Sequence, residues 1–375
     1  MSLIFRKLAR NNPRNIITDA QILVISCRKL SIVPSIYDGE DPAPKFFSSN
    51  VQVLLKRLTR PDYNKVFRKR TNQGLTVLKT PTYKFLTNEE LEEEITKANE
   101  RADRLLQMPP VVKIQQHIED VLSKDPALVG YDTAKYIFTD ITFGVANEHR
   151  FIVERDPDGF LRSCDHDVRK RLNQVYFPLL GRKLREPVMF TDLDKFNSLL
   201  DREQYEFVLD RACVQYEPDE PSYQKITSMT YQHLDNKNKY ELLRSTRHFG
   251  PLVFYLTWHQ TMDKLMLELL QSGAVREAVL LTALRQDIHG DVANGDVART
   301  IAQQILPTPV QLTKPEILTE EDIQLDTKCV ECIEKYIVSN SSMKSQQELA
   351  LQGFRENYQQ LIDLSRGLQK AHGKQ

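Results

Sequence analysis

The sequence predicts an α+β protein that is mostly α-helical. One long segment, residues 135–161, alternates apolar residues with a period of two, which is the pattern of a half-buried β-strand. Four residues of its first strand would share one face: Ile137, Thr139, Ile141 and Phe143. Elsewhere apolar residues recur at intervals of three and four between capping residues and prolines, as in amphipathic helices. We therefore expect a small antiparallel β-meander near residues 135–163, with helices flanking it and the chain organised around it.

The meander should continue through a second strand at residues 150–155 and a tight turn. Asp156-Pro157-Asp158-Gly159 suits that turn, because proline presets φ and glycine takes the position that needs a positive φ. Residues 160–162 would then return as a short third strand. A sheet this small is stable only when helices pack over it.

The helices on either side are predicted from their termini. Thr87 and Glu90 have the spacing of a capping box, and the helix that they begin must end before Pro109. Its apolar residues recur in one stripe that should be buried: Leu91, Ile95, Ala98, Ala102 and Leu105. A helix of about 20 residues with charge on both faces often also docks on a neighbour. Asp165 should cap a second helix, of which Val168, Leu172, Val175 and Tyr176 face inward.

Residues 191–285 are predicted to form short helices joined by tight turns. Thr191 and Asp192 would cap one helix, and breaks are expected at residues 217–221 and 235–238. Because no fixed repeat period is present, we expect an irregular array of helical hairpins. Residues 251–258 are strongly apolar and should lie in the core. A stripe predicts a final amphipathic helix: Leu351, Phe354, Tyr358, Leu361 and Leu368.

These patterns divide the chain into five parts. We expect a mitochondrial transit peptide at 1–35, a linker and basic RNA-binding arm at 36–75, a central α+β domain at 76–190, a helical array at 191–304, and a linker with C-terminal helices at 305–375. No run approaches the ~18 apolar residues of a membrane span, so no span is predicted.

Charge is distributed unevenly although the net charge is zero. Residues 1–85 hold 16 Lys and Arg against 5 Asp and Glu, whereas the remainder is acidic. Such asymmetry favours a basic arm that grips a polyanion. The first residues are basic, amphipathic and poor in acids, as in a transit peptide, and Arg28-Lys29-Leu30-Ser31 suggests a cleavage site. The alternative is an ordinary disordered basic N-terminus.

Two basic segments are candidate RNA-binding surfaces. In the first, residues 56–70, seven cations and two interleaved rings could follow phosphates and stack on unpaired bases. Its candidate residues are Lys56, Arg57, Arg60, Tyr63, Lys65, Phe67, Arg68, Lys69 and Arg70. The second, residues 162–185, follows the meander and contributes Arg169, Lys170, Arg171, Arg182, Lys183 and Arg185. Solvated basic helix faces are the alternative for both segments.

Signatures of catalysis are missing from the sequence. It contains no dinucleotide or phosphate-binding glycine motif, no H-E-x-x-H and no G-x-S-x-G. Cys329 and Cys332 have metal-ligand spacing, but two further ligands are not nearby, so we expect helix packing and reduced thiols. Asp165-His166-Asp167 fits the first turn of a helix better than a metal site. We expect no enzyme, cofactor, metal or small-molecule substrate.

Several stretches, spread over about half of the chain, resemble a known family in their order and spacing. They are TPTYKFLT at 80–87, MPP at 108–110, TAKYIFTDITF at 133–143, RFIVERDPDG at 150–159, QVYFPLLGRK at 174–183 and KYELLRSTRHFG at 239–250. The chain thereby resembles the mitochondrion-specific family of small-subunit ribosomal proteins numbered twenty-two. Residues 1–75 and 286–375 match this family poorly.

The resemblance implies a non-enzymatic structural constituent of the mitochondrial ribosome. Such a protein would be imported into the mitochondrial matrix and would bind mitochondrial small-subunit rRNA and other mitochondrial ribosomal proteins. The family supplies no catalytic residues and no motif that fixes the RNA contacts. The alternative is a matrix RNA-binding or ribosome-assembly factor that associates transiently.

Overall fold

The structure, a computed structural model, confirms a mostly helical α+β protein. It describes residues 37, 40–68, 83–118, 120–290, 292, 295–307 and 318–371. The predicted transit peptide at 1–35 lies outside these residues, as do Lys69 and Arg70. From residue 41 onward the chain forms one compact unit. The predicted divisions after residues 75, 190 and 304 stay predictions.

Helices and a small sheet share the N-terminal part. The elements are α1 (Ala43–Phe46), α2 (Ser49–Leu58), α3 (Tyr63–Val66), α4 (Asn88–Leu105), β1 (Val121–Lys124), β2 (Tyr136–Thr139), β3 (Ile152–Arg155) and β4 (Phe160–Ser163). Short 3-10 turns occur at Pro126–Leu128 and, later, at Tyr240–Leu242.

In the rest of the described chain the regular elements are all helices. They are α5 (His166–Tyr176), α6 (Val188–Thr191), α7 (Leu193–Asp201), α8 (Tyr205–Gln215), α9 (Pro221–Lys237), α10 (Phe249–Trp258), α11 (Asp263–Gln271), α12 (Val275–His289), α13 (Gly295–Ile305), α14 (Glu320–Asn340) and α15 (Lys344–Ala371).

The core lies among the helices. All ten residues of α10 are buried, which confirms the prediction for residues 251–258. Helix α12 packs against α2, α10, α11, α13 and α14. By contrast, β1 is fully exposed and β2 nearly so. The expectation that the chain is organised around the meander is therefore wrong, because the apolar surface that folding buries belongs mainly to α10 and α12.

The sheet has four antiparallel strands in the order β1-β4-β3-β2. Strands β2, β3 and β4 form the predicted meander, with Tyr136 opposite Arg155 and Val153 opposite Ser163. The predicted turn is present, and Gly159 has φ +78° while its N–H donates to the Asp156 carbonyl over 3.0 Å. Strand β1, which sequence reasoning missed, pairs with β4 through a register shift.

Strand β2 is shorter than predicted and ends at Thr139. The Asp140 carboxylate accepts hydrogen bonds from the Thr142 N–H and hydroxyl, at 2.9 and 2.6 Å, which bends the chain. The buried Arg150 guanidinium then donates to the carbonyls of Asp140 and Val145, both at 2.8 Å. Ile141 and Phe143 consequently lie on an exposed loop rather than on a strand face.

Two predicted apolar stripes are not buried. The capping box of Thr87 and Glu90 is confirmed, but Ala102 is the one buried residue of α4. In α5, Val175 and Tyr176 are exposed, and Val168 and Leu172 are half-buried. Both helices therefore carry apolar surface that the described residues leave open to solvent.

The C-terminal array follows the predicted breaks. The Asp192 carboxylate caps α7, whereas Thr191 is the last residue of α6. Pro221 begins α9, and Asn238 ends it in the left-handed conformation. The final helix, α15, is confirmed and buries Leu351. The predicted linker near residues 305–315 lies largely outside the described residues.

No helix in the described part of the chain is long and apolar enough to cross a membrane.

Candidate RNA-binding surface

The first basic segment begins on a helix of the core. Val51, Leu54, Leu55 and Leu58 of α2 are buried, and the helix packs against α10 and α12. Ser49–Leu58 therefore belongs to the core, although it falls within the linker and basic arm predicted at 36–75. Spacing explains the result, because these four residues form one stripe of a helix whose cations occupy its other faces.

Most described cations of the first segment pair with acids of this chain. The Lys56 ammonium lies 3.0 Å from the Asp103 carboxylate, and that of Lys65 lies 3.3 Å from Glu241. Arg60 pairs with Glu277, and Arg68 pairs with Glu206. Burial lowers the pKa of Arg57, although Glu277 acts in the opposite direction. A phosphate would have to compete with these carboxylates.

The two aromatic rings of the first segment stack on each other. The Tyr63 and Phe67 centroids are 6.0 Å apart with an interplanar angle of 15°. The Tyr63 hydroxyl donates to the Asn99 side-chain oxygen over 2.6 Å, and the Arg101 guanidinium lies 5.6 Å from the Phe67 centroid. Each ring therefore uses one face for a contact within the protein. Stacking of a base on either ring stays a prediction.

The second basic segment is also partly neutralised. Lys170 pairs with Glu220 and lies 4.9 Å from the Tyr216 ring centroid. Arg182 pairs with Glu217. The Arg169 guanidinium donates to the Arg150 carbonyl over 2.7 Å. These three side chains tie α5 and the following loop to the rest of the protein.

Three cations of the second segment remain exposed and unpaired among the described residues. They are Arg171, Lys183 and Arg185. The backbone of Lys183 is fixed by the buried Gln215 side chain, which accepts from its N–H at 3.1 Å and donates to its carbonyl at 2.8 Å. The Arg211 guanidinium donates to the Gly181 carbonyl over 2.9 Å. The loop that carries Lys183 and Arg185 is therefore held in place while its charges face solvent.

An open cleft of about 880 Å³ is lined by part of the first basic segment, including Lys65, Phe67 and Arg68. Tyr216 and Glu217 also line it. No described residue of the second segment lines the cleft, but Lys170 contacts Tyr216 and Arg182 pairs with Glu217. The first segment therefore reaches the cleft, and the second contacts it only through these two lining residues.

The cleft also contains cations that sequence reasoning missed as site residues. Arg101, Arg104 and Arg247 line it, so that five Lys and Arg face three Glu, namely Glu148, Glu206 and Glu217. The i, i+3 spacing of Arg101 and Arg104 could have indicated a shared basic face. No such sequence spacing indicates Arg247. It pairs with Asp210 over 2.7 Å.

The candidate metal ligands have other roles. Cys329 and Cys332 are buried in α14, as predicted, and burial raises the pKa of Cys329 to about 12. Asp165 stands at the N-cap of α5 without a capping hydrogen bond, and its carboxylate lies 2.9 Å from His117 Nδ1. His166 Nε2 lies 2.8 Å from the Gln116 carbonyl. The described residues contain no group of three or more His, Cys, Asp or Glu that could hold a metal ion.

Comparison with known proteins identifies the family. Residues 44–290, about two thirds of the chain, match the family model described as mitochondrial 28S ribosomal protein S22. The mouse small ribosomal subunit protein mS22 is 37% identical over 277 residues, which are 74% of this chain and 76% of the mouse protein. The bovine protein of the same name is 34% identical over 299 residues, 80% of this chain and 81% of its own. The family match includes the sheet, α10, α12 and the residues that line the cleft, and the chain therefore belongs to the mitochondrial 28S ribosomal protein S22 family.

Proposed function

We propose that this protein is a structural, non-enzymatic constituent of the small subunit of the mitochondrial ribosome, located in the mitochondrial matrix. In this role it binds small-subunit rRNA and neighbouring ribosomal proteins and so supports mitochondrial translation. Family membership supports the ribosomal role. The exposed, unpaired cations of the second basic segment and the five Lys and Arg that line the cleft support the binding of RNA.

The observation that carries the RNA-binding part is the loop of Lys183 and Arg185. A cation that already pairs with a carboxylate neutralises a phosphate less effectively than an exposed unpaired cation does, so it displaces fewer counterions from the RNA. Gln215 and Arg211 hold the backbone of this loop, so little conformational entropy is lost on binding. Arg171, Lys183 and Arg185 are accordingly the leading RNA contacts. Lys69 and Arg70, outside the described residues, remain predicted contacts.

Charge reversal tests this assignment. The variant Lys183→Glu/Arg185→Glu should associate less with the small subunit, because two phosphate contacts become repulsive. With purified protein and small-subunit rRNA, the dependence of log affinity on log salt should weaken by about one unit for each contact removed. The two readouts are sedimentation with the subunit on salt-containing gradients and the slope of the binding constant against salt.

A matched control reverses two exposed cations elsewhere. Lys225→Glu/Lys237→Glu makes the same change in net charge on α9 and should leave both readouts unchanged. Normal sedimentation and an unchanged slope for Lys183→Glu/Arg185→Glu would reject this loop as the contact. Lys69→Glu/Arg70→Glu, in the same assay, tests the first segment. If the wild-type protein itself left the subunit at high salt, a transient assembly factor would be the better description.

A further inference from the structure

The N-terminal half of α4 projects from the body of the protein. Every residue from 83 to 97 is exposed, including Tyr83, Phe85 and Leu86 before the helix and Leu91 and Ile95 within it. Leu91 and Ile95 are 48% and 51% exposed. From Asn88 to Ala98 the helix extends about 15 Å at 1.5 Å per residue.

The C-terminal half of the same helix is attached to the body. Ala102 is buried, Asn99 accepts from the Tyr63 hydroxyl over 2.6 Å, and Asp103 pairs with Lys56 over 3.0 Å. Leu91, Ile95, Ala98 and Ala102 recur at steps of four, three and four, so they form one stripe. Half of this stripe faces the body, and the other half continues beyond it without a partner among the described residues.

Charge around the projecting half indicates what can cover it. Five glutamates, Glu89, Glu90, Glu92, Glu93 and Glu94, precede Lys97, the first cation of the helix. Lys97 lies 3.6 Å from Glu93 and 3.4 Å from Glu94, and Glu90 serves the capping box. The carboxylates of Glu89 and Glu92 have no ion-pair partner in the described chain. The negative charge of these glutamates repels RNA phosphates, and it equally repels the same face of a second copy of this chain.

We propose that Leu91 and Ile95 form a docking face for a positively charged, amphipathic segment of another protein of the small subunit. The apolar side chains of that segment cover the stripe, and its Lys or Arg residues meet Glu92, which lies about 60° from Ile95 around the helix. This inference rests on the proposed ribosomal role and names the kind of partner that the role requires. The capping box holds the helix in shape before the partner arrives.

Site-specific photo-crosslinking tests the docking face in assembled subunits. A benzoylphenylalanine at position 91 should form an adduct with one ribosomal protein through a basic peptide. The matched control places the same residue at Glu93, about 3 Å further along the helix and about 160° away around it, and should not yield that adduct. An adduct of position 91 with rRNA or with a second copy of this chain, or no adduct at all, overturns the proposal.

Substitution supplies a second, independent test. Leu91→Ser/Ile95→Ser should lower the amount of the crosslinked partner that co-purifies by about tenfold or more, as for two residues central to an interface. Glu93→Ser/Glu100→Ser introduces the same residues on the opposite face and should retain the partner. Both variants should unfold at the wild-type urea midpoint, since all four positions are exposed. Equal recovery of the partner with both variants overturns the proposal.

The outcomes separate this inference from the proposed function. If the wild-type protein does not sediment with the small subunit, both fail. If it does sediment there while position 91 gives no protein adduct, the ribosomal role stands and the docking face alone is rejected.

Discussion

Single residues set the shape of the loops around the sheet. Arg150 ties the segment after β2 to itself through three backbone carbonyls and lies 3.5 Å from the Phe177 ring centroid. Gly159 closes the turn between β3 and β4, and its carbonyl accepts from the Asp125 N–H over 2.9 Å. A Cβ at Gly159 would lie 2.3 Å from the Asp125 carbonyl oxygen. Both residues are therefore fixed by backbone contacts rather than by apolar packing.

Replacing Gly159 should reveal this constraint. Gly159→Ala combines a positive φ, which costs about 1–2 kcal/mol for an L-residue, with the clash against Asp125. Gly144→Ala is the matched control, because Gly144 has φ +86° but no atom within 4 Å of the added Cβ. We expect Gly159→Ala to lower the free energy of unfolding more and to speed amide exchange at Asp125. Equal effects of the two substitutions would show that the close approach is relieved at no cost.

At the scale of the element, α2 ties the N-terminal part of the described chain to the core. Leu55→Ala should reduce the free energy of unfolding by about 2–5 kcal/mol, because a fully buried leucine leaves a cavity between α2 and α12. Val53→Ala, on the exposed side of the same helix, should change it by no more than about 0.5 kcal/mol. Urea unfolding followed by the fluorescence of the single tryptophan, Trp258, measures both. If Leu55→Ala left the free energy of unfolding nearly unchanged, the segment would be better described as an independent arm.

Helices α2 and α4 show what sequence patterns can and cannot establish. Both carry a clear stripe, at Val51, Leu54, Leu55 and Leu58 in one helix and at Leu91, Ile95, Ala98 and Ala102 in the other. Spacing predicts that each helix has an apolar face, and the capping box predicts where α4 begins. Spacing cannot say what covers that face: the described residues cover the whole stripe of α2 but only the C-terminal part of the stripe of α4. High charge density around α2 made it look like an arm, although its stripe was present.

The candidate site was predictable to a similar degree. Composition located both basic segments, and the structure places part of the first at a cleft of which two lining residues contact the second. The sequence could not predict which cations remain free to contact a phosphate, because the carboxylates that pair with the others lie far away in sequence. Lys65 and Glu241, for example, are 176 positions apart. Strand β1 was missed because its four residues are all exposed and show no alternation. Long-range pairing therefore decides the details that local patterns leave open.

For the whole molecule, buried tyrosines predict sensitivity to alkali. Burial raises the pKa of Tyr216, Tyr240 and Tyr358 above the usual value, and a hydrogen bond to Asp235 or Asp326 adds to this for the last two. Unfolded tyrosines lose their protons near pH 10. The folded state then binds more protons than the unfolded state, so stability must fall as pH rises above about 10.

Urea unfolding at about pH 8 and about pH 10.5 measures this fall. The midpoint should be lower at the higher pH, and tyrosinate absorbance of these residues should appear only as the protein unfolds. Tyr358→Phe should flatten the dependence, because one such group is removed. A midpoint that stays constant or rises between the two pH values would contradict the expectation.

The packing of α2 against α12 also joins distant parts of the chain. Arg60 and Glu277, which pair beside this contact, are separated by 217 positions. The entropy of closing so long a loop must be lost before the contact forms, so contacts of this kind slow folding. Until that loop closes, Leu54 and Leu55 have no native surface to cover them. The N-terminal helix of the core is therefore covered late in folding, and its apolar stripe stays open to aggregation until then.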